Sequence, residues 1–242
     1  MISSTKNDQV KMVVELRKKA KARNEAGLFV AEGLRMVSEL PPDRAWRLYV
    51  SESFLKNREN AGLLERILAL AKQYEYVLSD LLSAPGPAHL MILENLQDPG
   101  NLGTILRAGE GAGITGVIMS RDTVDIYNPK VVRSTMGSAF RVPFLYTDDL
   151  PGTVRELKAG GIRLFAAHLE GRNNYEEEDY TGNTGFLIGN EGNGLTEELS
   201  AAADAWVKIP MAGKVESLNA AVAASILMFE TARQRRSGRS MK

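Results

Sequence analysis

Three separated stretches of the chain place charged or polar side chains among glycines. They are Asn95–Gly113 (NLQDPGNLGTILRAGEGAG), Phe186–Leu195 (FLIGNEGNGL) and Trp206–Glu230 (WVKIPMAGKVESLNAAVAASILMFE). The first contains the cation Arg107, the second the carboxylate Glu191, and the third the polar pair Ser217 and Asn219. A guanidinium is a poor base in water, but it can stabilise a developing anion or grip a phosphate in a bidentate fork. These stretches are therefore the candidates for a ligand-binding or active site.

The third stretch predicts a strand, a loop and a buried helix in succession. The strand Trp206–Ile209 ends at Pro210, which cannot donate a hydrogen bond to a sheet. After a short loop, Ser217 is a suitable N-cap for the helix Leu218–Glu230, which is apolar nearly all round. A helix N-terminus offers free N–H groups, so the arrangement suits a small ligand. The same pattern also fits an ordinary strand–loop–helix unit of any α/β protein.

The other two stretches each predict a turn at the end of a strand. Gly189, Gly192 and Gly194 permit positive φ and a close backbone approach, so bare N–H and C=O groups could meet a ligand. In the first stretch, the helix Leu102–Ala112 carries its apolar residues on one face and can direct Arg107 towards a cleft at the strand ends. An arginine on such a helix also fits a solvated side chain or a surface salt bridge.

The segment Gly111–Gly116 (GAGITG) matches the dinucleotide-binding pattern G-x-G-x-x-G in its letters. That pattern requires a strand before it and a helix after it. Here the predicted helix comes first and the strand second, so we reject NAD binding.

Composition restricts the class of protein. The 242 residues are 44% hydrophobic and 25% charged, as in an ordinary globular protein, and no apolar run approaches the ~18 residues of a membrane span. The absence of cysteine excludes disulfides and a thiolate nucleophile, and two histidines argue against a multi-histidine metal site. The cytosol is the expected compartment.

The net charge is zero, but basic residues concentrate in residues 6–23 and at the C-terminus. This distribution fits phosphate contacts, and it equally fits solvated segments.

The chain predicts two α/β units, residues 1–84 and 88–242, separated by the linker Ser83–Pro87 (SAPGP). The N-terminal elements expected are a basic helix over residues 6–25, the strands Leu28–Val30, Arg47–Val50 and Tyr76–Leu78, and the helices Glu32–Leu40 and Ala61–Tyr74. The C-terminal strands expected are Leu90–Leu93, Gly116–Met119, Arg163–Ala167, Gly185–Ile188 and Trp206–Ile209. The helices between and after them are Leu102–Ala112, Pro129–Met136, Thr153–Ala159, Thr196–Ala202 and Leu218–Glu230. Apolar strands that alternate with helices predict a mainly parallel sheet covered on both faces.

In this order, the three stretches resemble the signature motifs of the SpoU/TrmH branch of the SPOUT RNA methyltransferases. The resemblance extends roughly from Leu90 to Glu230, and GLFVAEGLRMV resembles the substrate-binding domain that precedes many of these enzymes. It implies transfer of a methyl group from S-adenosylmethionine to a ribose 2′-hydroxyl of ribosomal or transfer RNA. It also implies a trefoil knot that holds the cofactor, and a homodimer in which each active site is completed across the interface.

The resemblance assigns roles to individual residues. Those expected around the reacting hydroxyl are Arg107, Asn95, Glu191, Ser217 and Asn219. Those expected in the cofactor pocket are Leu187, Gly189, Ile209, Met211 and Leu218. Arg107 falls where SpoU enzymes keep their catalytic arginine, Asn95 resembles its positioning partner, and Glu191 would hold Arg107, the RNA or the loop. Arg133, within Asn128–Arg141 (NPKVVRSTMGSAFR), is the candidate RNA contact, with a plain surface role as the alternative.

The function expected from the resemblance is ribose 2′-O-methylation, with large-subunit ribosomal RNA favoured over transfer RNA because of the added N-terminal domain. Transfer from a sulfonium is an in-line displacement with a good neutral leaving group, so positioning is the main task and no metal is required. The alternatives are ribose methylation of transfer RNA, methylation of a base nitrogen, and a non-catalytic RNA-binding or ribosome-assembly module.

Overall fold

Two β-sheets organise the computed structural model of the chain, which describes residues 2, 4–52 and 67–239. The smaller sheet is N-terminal and antiparallel, with the strand order β1-β3-β2. Its strands are β1 (Leu28–Glu32), β2 (Ala45–Val50) and β3 (Ile67–Lys72), and the helices beside it are α1 (Asp8–Lys18), α2 (Ala20–Ala26) and α3 (Leu34–Glu39). Leu16 of α1 packs with Leu28, Val30 and Leu70 on one face of this sheet. The other face packs against the C-terminal part of the chain.

The larger sheet has seven strands in the order β6-β5-β4-β9-β7-β10-β8, and its neighbouring strands are parallel. The strands are β4 (His89–Leu93), β5 (Gly116–Ser120), β6 (Phe144–Thr147), β7 (Arg163–Ala167), β8 (Asn173–Asn174), β9 (Thr184–Ile188) and β10 (Ala205–Lys208). The α/β class and the mainly parallel sheet predicted from the sequence are confirmed. After β6 the chain crosses to the other side of β4, and such a reversal of strand order creates a crevice at the carboxyl ends of the strands.

Helices cover both faces of this sheet. They are α4 (Leu78–Leu82), α5 (Pro99–Ala112), α6 (Pro129–Thr135), α7 (Leu150–Ala159), α8 (Glu197–Ala202) and α9 (Ala220–Arg239). Helices α5, α6 and α9 share one face with the N-terminal sheet, and α4, α7 and α8 cover the other. Met91 and Leu93 of β4 point into the first core, and Leu90 and Ile92 point into the second, as the period of a strand requires. Helices α5 and α6 meet at Gly103, where a Cβ would lie 1.7 Å from Ser134 Oγ.

Some N-terminal elements differ from those predicted. The basic helix over residues 6–25 is two helices, because Lys19 is extended (φ −122°, ψ 120°) between α1 and α2. The helix expected over Ala61–Tyr74 is wrong at residues 67–72, which form β3, whereas residues 61–66 lie outside the described part of the chain. Strand β3 is buried on both faces, and periodicity cannot distinguish such an unbroken apolar run from a helix. Tyr76–Leu78 is not a strand, since α4 begins at Leu78.

The C-terminal part departs from the prediction in fewer places. Strands β6 and β8 were not expected, and both are short. Helix α9 begins at Ala220 and continues to Arg239, beyond the predicted end. Its cap is Asn219 and not Ser217, because Asn219 Oδ1 accepts hydrogen bonds from the N–H groups of Ala221 (2.9 Å) and Val222 (3.3 Å).

The N-terminal sheet and the α5–α6–α9 face share one hydrophobic core. Phe29 of β1 stacks on Tyr127 with the ring centroids 4.7 Å apart, and Arg23 of α2 pairs with Asp125. The N-terminal unit is therefore packed onto the larger sheet. Within the described ranges, none of the helices has the length and apolar character needed to span a bilayer.

Candidate active site

A cavity of about 610 Å³ opens at the carboxyl ends of β7, β9 and β10. It is lined by residues 167–170 after β7, by residues 188–195 after β9, and by side chains between residues 207 and 218 after β10. Ala220, Ala223 and Leu227 of α9 also line it. Carboxyl ends of parallel strands are the usual ligand sites of such sheets, and ligand pockets measure roughly 300–1,000 Å³. The cavity is therefore the candidate cofactor site.

The glycine-rich loop after β9 brings bare backbone to the cavity. Asn190 and Gly194 exchange backbone hydrogen bonds of 3.0 and 2.9 Å, and Gly194 has a φ of 70°. A Cβ at Gly189 would lie only 2.0 Å from the carbonyl carbon of Gly194. Any larger residue at position 189 would displace backbone, so glycine is required for this close approach.

Apolar side chains from the loop after β10 form another wall. Ile209, Met211 and Leu218, which the resemblance assigns to the cofactor pocket, all line the cavity. Leu187 does not, because its side chain is fully buried in the core beneath α7 and α8. The structure thus brings four of the five expected cofactor residues to the cavity wall, with Gly189 as the fourth.

The carboxylate of Glu191 binds the first stretch. It accepts hydrogen bonds from the backbone N–H groups of Gln97 (3.0 Å) and Asp98 (2.9 Å) and from Asn101 Nδ2 (2.9 Å). Partial burial raises the pKa of Glu191, but these donors outweigh it and leave the pKa below its usual value. Of the three partners expected for Glu191, the described residues show a contact with the first loop and none with Arg107.

Asn101 is a site residue that the sequence analysis missed. It is 8% exposed, lies in the first turn of α5, and accepts a hydrogen bond from Asn219 Nδ2 at 2.9 Å. Because its own amide donates to Glu191, the side chains Glu191, Asn101 and Asn219 form one continuous chain. A buried amide that follows the N-cap Asp98 by three residues, among apolar helix residues, was the available signal.

Asn95 occupies a different position from the one expected. Its Oδ1 accepts a hydrogen bond from Gln97 Nε2 (2.6 Å), and its carbonyl accepts one from Asn190 Nδ2 (2.7 Å). It has no hydrogen bond to Arg107 among the residues described, so it does not position that side chain directly. The side chain of this stretch that joins the loops is that of Asn101, which donates to Glu191 and accepts from Asn219.

Arg107 projects from α5 into solvent and does not line the cavity of its own chain. It makes no hydrogen bond or ion pair within residues 2, 4–52 and 67–239. One turn further along α5, a Cβ at Gly111 would lie 3.7 Å from the ring of Phe229. Phe229 and Val222 of α9 are each 47% exposed. Arg107 therefore shares an outer surface with unpaired apolar side chains, and the cleft position predicted for it is not found within one chain.

Arg133 lies exposed on α6 and donates from Nη2 to Glu32 Oε2 of β1 at 3.3 Å. Arg17 of α1 approaches the same oxygen at 3.4 Å.

Many basic residues near the chain ends are paired with acids, as in the pairs Lys11–Asp8, Lys19–Glu15, Lys21–Glu25 and Arg233–Glu230. Arg235 is engaged with backbone carbonyls, including those of Pro87 and Ala88. Over the described residues, the ends therefore present less free positive charge than their composition suggests. No cluster of three His, Cys, Asp or Glu side chains in the described part could hold a metal ion.

Comparison with known families matches the SpoU rRNA methylase family over residues 88–229 and the MRM3-like substrate binding domain over residues 7–77. The chain is 36% identical to the 23S rRNA (guanosine-2′-O-)-methyltransferase RlmB of Xanthomonas campestris, over 72% of this chain and 70% of that protein. It is 30% identical to the 23S rRNA (guanosine(2553)-2′-O)-methyltransferase RlmP of Bacillus subtilis, over 94% of this chain and 97% of that protein.

A solved structure agrees with these matches. The AdoMet-bound rRNA methyltransferase from Sinorhizobium meliloti superposes with a TM-score of 0.81 at 31% identity, and the alignment covers 96% of this chain and 97% of that one. The first family match alone spans residues 88–229 of 242. The chain belongs to the SpoU rRNA methylase family.

Proposed function

We propose that the protein transfers a methyl group from S-adenosylmethionine to a ribose 2′-hydroxyl of ribosomal RNA. The observation that carries this proposal is the hydrogen-bonded chain Glu191–Asn101–Asn219, which joins the three motif stretches beside the cavity. The names of the relatives RlmB and RlmP favour ribosomal over transfer RNA as the substrate. An enzyme of ribosomal RNA would act in the cytoplasm, as expected from the sequence.

The residues around the cavity fit S-adenosylmethionine. Ile209, Met211 and Leu218 offer apolar surface for the adenine and the thioether chain, and the backbone at Gly189 can hydrogen-bond to the adenine edge. When bound, the cofactor supplies a methyl group attached to a sulfonium, from which a neutral thioether is a good leaving group.

The chain's own residues then have to orient the ribose hydroxyl. Asn101 and Asn219 are fixed against each other, and Glu191 sets the orientation of the Asn101 amide. The side chain of Ser217 lines the cavity and can hydrogen-bond to the incoming sugar. Asn95 contributes through its backbone, since its carbonyl ties the first loop to Asn190.

We assign Arg107 to the active site of a second copy of the chain. It lies outside the cavity of its own chain, on the surface that also exposes Val222 and Phe229. Burial of these apolar side chains in a two-fold symmetric dimer would bring each Arg107 towards the partner's cavity. There the guanidinium would stabilise the negative charge that develops on the ribose oxygen as its proton passes to water and the methyl group is transferred, or it would hold the adjacent phosphate.

We also propose that the C-terminal segment is threaded as a trefoil knot. The strand order places β10 two strands from β9 and three from β4, yet Asn219, directly before α9, bonds to Asn101 of α5, which follows β4. The chain therefore returns past the loops after β7 and β9 before α9 begins. Such a return past another loop is what a knot requires.

For the RNA side, we propose that Arg133 contacts a phosphate together with Arg17. Both guanidiniums approach the same Glu32 oxygen, one from each domain, and Arg133 donates a single hydrogen bond to it. Two cations against one carboxylate leave a net positive charge at the seam between the domains. We assign the two units expected from the sequence, residues 1–84 and 88–242, to substrate binding and catalysis; the family matches cover residues 7–77 and 88–229, and α4 between them packs on the larger sheet.

The experiment is methylation of ribosomal RNA by the purified protein with radiolabelled S-adenosylmethionine, followed by alkaline hydrolysis. Ribose 2′-O-methylation removes the internal nucleophile, so one phosphodiester should resist cleavage. A methylated site that is still cleaved would favour base methylation. Labelling of transfer RNA alone would contradict the proposed substrate.

A further inference from the structure

Arg23 of the N-terminal unit places a buried positive charge against the catalytic unit. It is 3% exposed, and its Nε and Nη2 donate to Asp125 Oδ2 at 2.8 and 2.5 Å. Its Nη1 donates to the carbonyl of Leu16 at 2.7 Å. Taking an ion pair out of water is costly, and well-packed apolar residues often stabilise a protein equally well. Stability alone is therefore a weak reason for this pair.

Asp125 belongs to a short segment that is bonded to the active-site turn. The N–H of its neighbour Val124 donates to the carbonyl of Leu96 at 2.8 Å. Gln97 Nε2 donates to the carbonyl of Asp122 at 2.6 Å. The position of this segment is thus transmitted to residues 96 and 97 by two hydrogen bonds.

The turn that begins there carries the site. The N–H groups of Gln97 and Asp98 bind Glu191, and Asp98 caps α5 by accepting a hydrogen bond from the N–H of Asn101 at 2.8 Å. Asn95, at the start of the turn, has a φ of 51°, a left-handed conformation that is uncommon outside glycine. Asparagine adopts this conformation more readily than most residues, and contacts from outside the turn, such as the hydrogen bond from the Asn95 N–H to Ser120 Oγ at 2.8 Å, help to hold it.

We infer that Arg23 is a positioning residue for methyl transfer, which acts through Asp125 on the turn Asn95–Asn101. The inference rests on the proposed function of this site. Neither Asp125 nor any residue of the turn lines the cofactor cavity. Loss of the pair should therefore lower the rate of transfer and leave cofactor affinity within a few-fold.

A structural role must be distinguished from a positioning role, because the shared core also holds the two units together. Arg23→Met leaves Asp125 unpaired and should lower the melting temperature. The double variant Arg23→Met/Asp125→Asn removes both charges, keeps an oxygen that can accept the hydrogen bond from the N–H of Tyr127, and should recover most of the stability. It does not restore the tie between the units, so the rate should stay low.

The test uses the full-length chain and compares these two variants with Leu70→Ala, which removes side-chain volume from the core between α1 and the N-terminal sheet. Both Arg23 variants should lower kcat by about tenfold to a hundredfold, the scale of a misplacement of about 1 Å. Leu70→Ala should lower the melting temperature and leave kcat unchanged below its transition. If Arg23→Met fails to fold, the double variant carries the comparison.

Amide hydrogen exchange at Gln97 and Asp98 gives a readout that does not depend on activity. Exchange should be faster in both Arg23 variants and unchanged in Leu70→Ala. A double variant with wild-type kcat and wild-type exchange would overturn the inference. If the wild-type protein methylates no RNA, the proposed function fails instead, and the exchange rates still decide whether Arg23 holds the turn in position.

Discussion

The proposed position of Arg107 at the partner's cavity predicts complementation between two inactive variants. Arg107→Ala removes the guanidinium and should lower kcat by about a hundredfold to a thousandfold, the usual effect of losing one group that stabilises a developing anion. Gly189→Ala blocks the cofactor site instead, because its Cβ would lie 2.0 Å from the Gly194 backbone. Each variant alone should be nearly inactive, for a different reason.

A mixture of the two variants should regain activity. In a heterodimer, the cavity of the Arg107→Ala chain is intact, and the Gly189→Ala chain supplies the missing arginine. Random pairing of equal amounts makes half of the dimers mixed, each with one complete site, so about a quarter of wild-type activity is expected. If Arg107 served the cavity of its own chain, no dimer in the mixture would contain a complete site.

The assay is methyl transfer to ribosomal RNA after the two variants have been co-expressed with different affinity tags. Purification through both tags isolates the heterodimer, for which about half of the wild-type rate is expected. Isolated heterodimers with no activity above that of the single variants would refute the assignment in trans. A monomer in sedimentation experiments would refute the dimer itself.

Other contacts of the site predict further measurable changes. Asn101→Ala leaves Glu191 and Asn219 short of a partner, which costs ~1–3 kcal/mol; kcat should fall with cofactor Kd from calorimetry nearly unchanged, and an unaltered kcat would contradict its role. Arg133→Gln should reduce the slope of log affinity for RNA against log salt by about 0.7–0.9, whereas Arg155→Gln, on the opposite face of the sheet, should not; equal slopes would exclude a phosphate contact. The lowered pKa of Glu191 stabilises the fold above the usual pKa of a glutamate, and this contribution is lost as the pH falls through the lower, folded-state pKa. In thermal melts between about pH 3 and 6, the wild type should therefore lose stability relative to Glu191→Gln on acidification, and parallel curves would contradict this.

The residues that the resemblance assigns to the cofactor wall lie in local features of the sequence, and four of the five line the cavity. Gly189 lies in a glycine-rich turn directly after an apolar strand, and Ile209 and Met211 flank the proline that ends another. Strand ends and tight turns are set by a few adjacent residues, so their pattern survives in the sequence. Leu187 was assigned with them, although its side chain points to the opposite face of the strand.

The polar part of the site could not be predicted in the same way. Asn95 and Asn101 lie six residues apart. Which of the two joins the loops depends on hydrogen bonds from Asn101 to Glu191 and Asn219, which are 90 and 118 positions away in the sequence. The position of Arg107 depends on how α5 packs against α9, and its proposed role depends on a second chain. Neither contact leaves a local pattern, because both are set by the tertiary fold.

The linker Ser83–Pro87 separates two units in sequence, but the shared core joins them energetically. Phe29, Ala31 and Ala69 of the N-terminal sheet lie in the same cluster as Tyr127 and Phe140.

A chain without residues 1–84 would expose that apolar surface and would leave Asp125 without its guanidinium partner. We therefore expect the isolated catalytic unit to unfold at a lower temperature and to aggregate, as thermal melts and light scattering would reveal. A truncated unit that melts like the full chain would contradict a shared core. Because a truncation changes stability together with RNA binding, point substitutions such as Arg133→Gln are the sharper test of the substrate-binding role.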